Sequence, residues 1–253
     1  MSTPTVPADF QAEVQSAQRE SLPAKLILLR SELQGAPWES AGIQMVDQAL
    51  LSVPLNLLFE QVILFTGHRV DAPGRKCPRF PAAKESVARA AIRDAVVKQK
   101  ANSRGATLGI AGAANGGDIL FLEVCEELGI ASEMLLTLPA DQFVKASVEN
   151  PDESWVARFY HQLSIHPNTP ILAQSEDLPA WLAFKQGYDI WQRNNLWLLS
   201  QALSHPAQHR SLIALWDGAT GDGPGGTEHM TALAQEQGAE FVWLKTKELF
   251  NGV

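Results

Sequence analysis

From Glu60 onward, short runs of β-forming residues alternate with longer segments whose apolar residues recur at helical spacing, and this alternation constrains the fold more than any other feature. Residues 61–66 (QVILFT) end in Gly67 and read as a buried strand. Residues 81–100 then carry two adjacent i,i+4 rows, Val87/Ala91/Ala95 and Ala88/Ile92/Val96, which form one apolar helix stripe. Residues 107–111 are the next strand. A glycine-rich turn follows, then a helix with rows Leu120/Val124/Leu128 and Phe121/Cys125. Residues 134–138 (MLLTL) read as a third strand closed by Pro139, and residues 170–173 as a weaker fourth. A long helix over about 182–203 precedes a strand at 211–216. A glycine-dense loop, a helix from Thr227 and a last strand at 240–244 complete the pattern. Strands separated by helical segments indicate βαβ units, and parallel crossovers are right-handed. The expected class is therefore α/β, a Rossmann-like, doubly wound, mainly parallel sheet over residues 59–253.

Residues 1–58 differ. Apolar positions at helical spacing (Leu26, Leu29; Val46, Ala49, Val53) are interrupted by Gly35, Pro37 and Pro54, which suggests two or three short helices. This N-terminal helical extension is expected to cover a sheet edge or a partner subunit. No apolar run reaches the roughly 18–20 residues of a membrane span, and the first residues lack the basic-then-apolar order of a secretion signal. The two cysteines, Cys77 and Cys125, suit neither a disulfide framework nor a zinc ribbon and fit a reducing cytoplasm, which is the expected location.

The net charge of −8 argues against a broad nucleic-acid surface. It is unevenly spread, with ten basic residues against four acids between Glu60 and Arg104. Members from Lys84 on read as the solvated face of a helix. Arg69, Arg75 and Arg79 instead fall in a loop, where a local basic zone suits a small phosphate-bearing ligand.

Ligands of open parallel sheets bind beyond the carboxyl ends of the strands, and three unusual loops lie there. The first runs from Thr66 to Pro81. Gly67 allows a tight exit, and His68, Arg69, Arg75 and Arg79 supply donors that fork onto phosphate oxygens. The second spans 109–118, where a strand enters Gly112, Asn115, Gly116 and Gly117 at a helix start whose unsatisfied N–H groups attract anions. Asp118 there is either the helix cap or a ligand contact. The third spans 217–227, from Asp217 through Gly223, Gly225 and Gly226 to Thr227. It contains a literal G-x-G-x-x-G, but the next strand lacks the acid that would hold a ribose. Thr227 is the expected cap, with Glu228 and His229 a polar pair at the helix mouth. No P-loop, H-E-x-x-H, paired C-x-x-C or G-x-S-x-G is present, so no metal or cofactor is expected. The histidines are scattered. Trp181, Trp191 and Trp197 read as packing anchors, and Tyr188 with Asn194 or Asn195 as a polar contact.

Taken together, these blocks resemble the SLOG superfamily, the Rossmann-like group named for the Smf/DprA and LOG proteins. The likeness rests on residues 65–68 (FTGH), 73–75 (PGR) with 78–81 (PRFP), 116–121 (GGDILF), Leu138, Pro139, Asp141, Phe143, Ser147 and Val148, then 215–218 (LWDG) with 221–227 (GDGPGGT). It covers roughly three quarters of the chain and is nearest to bacterial segments that accompany signalling modules. The resemblance implies a nucleotide-derived ligand, as in members that resemble the ADP-ribose-binding region of TRPM channels or the cyclic-ADP-ribose-binding part of Thoeris effectors. It also implies frequent dimers. Other members, the LOG phosphoribohydrolases, remove a base from a nucleoside monophosphate with the motif P-G-G-x-G-T-x-x-E. Residues 224–228 (PGGTE) lack the inserted x-G and move the acid. The first expectation is a sensor of an ADP-ribose-like ligand or another nucleotide messenger, with Arg69, Arg75 and the glycine loops on phosphate and Asp118 or Asp217 on ribose. The second is a nucleotide N-glycosidase using Glu228 or Asp118 as the acid. The third is a scaffold with a degenerate cleft. DNA binding of the DprA kind is disfavoured by the charge.

Overall fold

The computed structural model describes residues 5–149, 152–219 and 225–251; Gly223 of the third loop lies outside the described residues. Helices α1 (Ala8–Arg19), α2 (Pro23–Glu32) and α3 (Glu39–Leu50) precede the sheet. The alternating part contributes β1 (Phe59–Gly67), α4 (Glu85–Ala101), β2 (Thr107–Ala111), α5 (Gly117–Glu127), β3 (Ala131–Met134), α6 (Ala140–Ser147) and α7 (Ser154–Ile165). It continues with α8 (Ile190–Ser204), β4 (Ala207–Trp216), α9 (Thr227–Glu236), β5 (Glu240–Lys245) and α10 (Thr246–Asn251). The strands form one all-parallel sheet in the order β3-β2-β1-β4-β5. This is the expected doubly wound, Rossmann-like α/β fold.

Period-two alternation within β1 divides the core between the two sheet faces. Ile63 and Phe65 point to one face, where they meet Ile92 and Val96 of α4 and Phe121 and Val124 of α5. Val62 and Leu64 point to the other, packed with Trp197 and Leu198 of α8 and Met230 of α9. These four β1 side chains are almost wholly buried, each worth roughly 1.5–3 kcal/mol of transfer free energy.

Three expected boundaries are corrected. The third strand lies at residues 131–134 rather than 134–138, because β2 ends at Ala111, paired with Met134. Beyond that point the apolar run leaves the sheet, and Leu136 instead bridges Ile171, through Leu136 N–H to Pro170 O (3.1 Å) and Leu172 N–H to Leu136 O (2.9 Å). The weak fourth strand is only this bridge. The long helix begins at Ile190, not near Leu182: after a 3-10 turn at Ala180–Leu182, Gly187 adopts φ +71°, and Asp189 caps α8 in a reciprocal box with Gln192.

Helices α1–α3 do not cover a sheet edge. They pack outside α8 as a further layer with their own apolar cluster of Phe10, Val14, Trp38, Val46 and Trp181, while Leu28 joins the sheet-face core. A buried ion pair fastens this layer. Arg193 Nε of α8 lies 3.0 Å from Glu32 Oε1, and its Nη2 lies 3.4 Å from Glu13, both on the N-terminal helices. Tyr188 donates to Glu32 (3.1 Å) and the Trp181 indole to Glu13 (2.9 Å). Tyr188 therefore bonds Glu32, not Asn194 or Asn195.

Breaking a buried pair by removing one partner strands the other charge and costs about 3–5 kcal/mol. Arg193→Ala should therefore lower the melting temperature by roughly 10 °C for a chain of this size. Combining Arg193→Met with Glu32→Gln should recover most of that loss, as read by circular dichroism melts.

Candidate functional site

Strands β1 and β4 lie side by side in register up to Gly67 opposite Leu215, and the chain leaves them toward opposite edges of the sheet. The crevice beyond such a switch point is where open α/β sheets bind ligands. The first residue after β1 is His68, and the first after β4 is Asp217. His68 donates its backbone N–H to Leu215 O (2.9 Å). Its Nε2 lies 3.0 Å from Asp217 Oδ1, and the Asp217 backbone N–H approaches the same nitrogen at 3.1 Å. One nitrogen serves only one of these partners at a time, donating to the carboxylate or accepting from the N–H, so the tautomer selects which bond exists. Burial holds the His68 imidazole below its ordinary range despite Asp217. Burial also pushes the Asp217 carboxyl up, but the Ala219 N–H and His68 outweigh it and hold the acid below its ordinary range. A neutral imidazole therefore faces an ionised carboxylate at neutral pH.

The long loop after β1 is closed by Asp71, whose Oδ2 accepts the N–H groups of Arg79 (2.9 Å) and Phe80 (2.8 Å). Phe80 is buried and stacks on Phe250 of α10. This closure brings Arg69 and Arg79 to the cleft together. Arg75 is held elsewhere, 3.4 Å from Asp71 Oδ1 and donating to Cys77 O (3.0 Å).

The glycine loop before α5 supports its neighbour. Gly116 has φ +85°, and a Cβ there would lie 2.8 Å from Val70 N and 2.9 Å from His68 O, so only glycine fits. Gly117 donates its N–H to His68 O (3.1 Å). Asn115 is buried and spends its amide on backbone, accepting from Val70 N–H (3.0 Å) and donating to Val148 O (3.1 Å). Asp118 alone of this helix start reaches the cleft, with Gly112 and Ala114 beside it. Its Oδ2 accepts the Ala114 N–H (3.3 Å), and burial pushes its carboxyl up to about 7 against the pull of that bond and of Arg69.

The third loop arrives at Gly225, with φ +80°, packed so closely on the first turn of α8 that a Cβ would lie 2.7 Å from the Trp191 carbonyl carbon. Asn195 donates to Gly225 O (2.7 Å) and Gly226 O (3.3 Å), fixing both carbonyls. Helix α9 then starts at Thr227 with no side-chain cap, so its first N–H groups and dipole stand at the cleft beside Gly226, Thr227 and Glu228.

The result is a cleft of about 540 Å³, within the roughly 300–1,000 Å³ of small-molecule sites. Of the residues singled out in the sequence, Gly67, His68, Arg69, Arg79, Gly112, Asp118, Gly225, Gly226, Thr227 and Glu228 line it. Arg75, Asn115, Gly116, Gly117 and Asp217 do not, and act behind it. The sequence offered Trp191 only as a packing anchor and Asn194 or Asn195 only as a polar contact beside Tyr188; the structure makes them one wall of the cleft, with Trp191, Asn194, Asn195 and Leu198 of α8 recurring at i, i+3, i+4 and i+7. Two adjacent asparagines on a largely apolar helix were the available signal. Trp191 is thus a cleft residue, while Trp181 and Trp197 are packing anchors. Thr137 also lines the cleft. Its buried Oγ1, like Asn194 Oδ1, has no hydrogen-bond partner among the described residues, an arrangement that favours a polar ligand. Among the described residues no cluster of His, Cys, Asp or Glu could hold a metal, and no helix is long and apolar enough to cross a membrane.

Compared with known protein families, curated proteins and solved structures, the chain matches none of them.

Asp118 makes the fold pH-sensitive. Its pKa rises from 3.8 unfolded to about 7 folded, so its contribution is intact below pH 4 and is lost as the pH climbs through 7. Asp118→Asn keeps the acceptor for Ala114 N–H without the charge. Its melting temperature should equal or fall slightly below that of the parent at pH 5 and exceed it by several degrees at pH 8.5.

Proposed function

We propose that this protein binds a nucleotide-derived ligand in the cleft between β1 and β4 and acts as a sensor or accessory signalling protein, in keeping with its resemblance to SLOG proteins. The observation that carries this reading is the convergence of Arg69, Arg79 and the uncapped start of α9 on one cleft at the switch point. Phosphate is the group such a combination recognises: two guanidinium forks, exposed N–H groups and a helix dipole. Trp191 and Trp216 add aromatic surface to the walls, the type of surface on which a base stacks. Asn194 and Thr137 supply buried polar atoms for hydroxyls or base edges.

A specific observation also favours the enzymatic reading. Asp118, held near pKa 7, is half protonated at neutral pH and suits a group that gives a proton to a departing base. Glu228, by contrast, is exposed at the cleft rim. N-glycosidic cleavage also needs an ionised carboxylate against the developing sugar cation; one carboxyl cannot give the proton and stand ionised against the sugar at once, and Asp217 lies behind the cleft. Binding without turnover is therefore the reading we adopt.

The test is thermal shift against AMP, ADP-ribose, NAD, cyclic ADP-ribose isomers and cyclic oligonucleotides, with each sample then chromatographed for free base. A ligand at a hundred times its Kd adds about 2.7 kcal/mol, a shift of roughly 5–10 °C here. Gly226→Asp should abolish the shift while leaving the melt of the free protein unchanged or slightly raised. Gly226 has φ −75° and is the residue preceding α9, where aspartate is a favoured cap that would occupy the same N–H groups. An undiminished shift in that variant refutes the α9 phosphate site. Free base that disappears in Asp118→Asn would establish the glycosidase instead.

A further inference from the structure

Along the outer edge of β3 lies a hollow of about 330 Å³ that shares no lining residue with the cleft. Ser132 of β3 and His166, the residue following α7, both face it. The Ser132 hydroxyl lies 2.9 Å from His166 Nε2, and His166 Nδ1 lies 2.8 Å from the carbonyl oxygen of Gln162, one helical turn earlier. A carbonyl only accepts, so in the neutral ring the proton sits on Nδ1 and Nε2 is left to accept from the serine. A hydroxyl bonded to a base that a third group orients is the arrangement that activates a nucleophile. Both side chains are half-buried, so a small molecule in the hollow reaches them.

The strand supplies main-chain donors beside the serine. β3 is an edge strand, and its register sets Met134 opposite Ala111. Leu135 N–H donates inward to Ala111 O (3.0 Å), whereas Leu136 N–H turns outward to Pro170 O (3.1 Å). The alternation of N–H directions along a strand therefore turns the N–H groups of Ser132 and Met134 outward as well. The bridge between Leu136 and Ile171 covers the edge only beyond them, and Met134, Thr169 and Pro170 line the hollow. Two backbone donors thus stand on the same edge as the serine, the kind of group that stabilises an oxyanion.

We propose that Ser132 and His166 form an active site separate from the cleft, one that hydrolyses small uncharged carboxylic esters through an acyl-serine. Ser132 Oγ bonds to the ester carbonyl carbon as its proton passes to His166 Nε2, and the oxyanion faces the edge N–H groups of Ser132 and Met134. The bond to the alcohol oxygen then breaks as His166 hands its proton to the departing alkoxide. Water, deprotonated by the same nitrogen, attacks the acyl carbon, releases the acid and restores the serine. The lining sets the substrate class. Among the described residues no lysine or arginine faces the hollow, while Glu133 does, held by His205 (3.0 Å) and Gln201 (2.8 Å). An anionic substrate is disfavoured there, and Ile165, Pro167 and Pro170 offer apolar contact to a short acyl or alcohol group. The activity is independent of nucleotide binding in the cleft.

The test treats the intact protein with diisopropyl fluorophosphate, whose phosphorus takes the serine oxygen and loses fluoride, and locates the adduct by peptide mass spectrometry. One adduct per chain is expected, on Ser132. Release of p-nitrophenol from p-nitrophenyl acetate should exceed that of Ser132→Ala by at least about tenfold, and His166→Asn should slow phosphonylation of Ser132 by about a hundredfold or more. Ser132→Ala forfeits one hydrogen bond and should melt within about 4 °C of the parent, so its lost activity is not lost folding. No adduct, an adduct only on another residue, equal p-nitrophenol release in Ser132→Ala, or a parent-like rate in folded His166→Asn would each overturn the proposal. Should a variant melt early, the position of the adduct on the parent chain decides.

Discussion

The pairing of β1 with β4 is the constraint from which the site follows. Both strands are central, run parallel and end together at Gly67 and Leu215, yet their chains depart in opposite directions. A gap between departing loops is therefore unavoidable at that level, and whatever residues come next must face each other. Here they are His68 and Asp217, which close the floor of the gap with one hydrogen-bonded contact. The approach is close enough to dictate glycine nearby: a Cβ on Gly67 would lie 3.1 Å from the Leu215 Cβ, and one on Gly117 would lie 3.1 Å from the Gly67 Cα. Several glycines that look like a phosphate fingerprint thus serve the packing of backbone on backbone.

Helix α8 carries the second dependency. Its inner face builds the sheet core with Trp197 and Leu198, its first turns build the cleft wall with Trp191 and Asn194, and its outer face holds Arg193 in the ion pair to Glu32. The helix cannot shift at one of these faces without disturbing the others, because Gly225 rests on its first turn and Glu32 anchors the same stretch of helix. The N-terminal helices are thereby mechanically continuous with the cleft. They share no lining residue with it, yet they fix the position of the helix that does.

Much of this was legible in the chain itself, and the exceptions have definite physical causes. The run QVILFT and the i,i+4 rows of α4 and α5 report burial directly, so the strands and helices at the centre of the sheet read correctly. Strand β3 reads poorly because it is an edge strand with a polar A-S-E-M sequence, while the apolar run after it is buried without being paired. The start of α8 was displaced because a capping box at Asp189 is a local signal, weaker to the eye than the hydrophobic residues preceding it. In the site, arginines and glycines near strand ends mark the right loops, but chemistry alone does not separate lining from support. Asn115 and Arg75 have the same side-chain types as ligand contacts; only their bonds to Val70, Val148 and Asp71 show that they stand behind the cleft. The α8 wall depends on a tertiary packing angle that periodicity does not encode.

The electrostatics of the cleft follow from unequal burial of its charges. Asp118 is placed where water cannot solvate its ionised form well, and the Ala114 N–H and Arg69 are too weak to compensate, so the carboxyl is pushed up to about 7 and stays half protonated at neutral pH. Were it ionised, it would oppose any anion brought to Arg69. Protonated, it no longer opposes that anion and offers an O–H donor of its own. An anion bound nearby makes ionisation of Asp118 less favourable still, and the same coupling in reverse means that protonation of Asp118 favours the anion. Asp217, equally close to the strand ends, differs because the Ala219 N–H and His68 satisfy its charge. Two aspartates at one switch point are thus shifted in opposite directions, Asp118 upward by burial and Asp217 downward by its hydrogen-bond partners. The ionised carboxylate thus stands behind the cleft, tied to His68 and the Ala219 N–H, while the half-protonated one lines it.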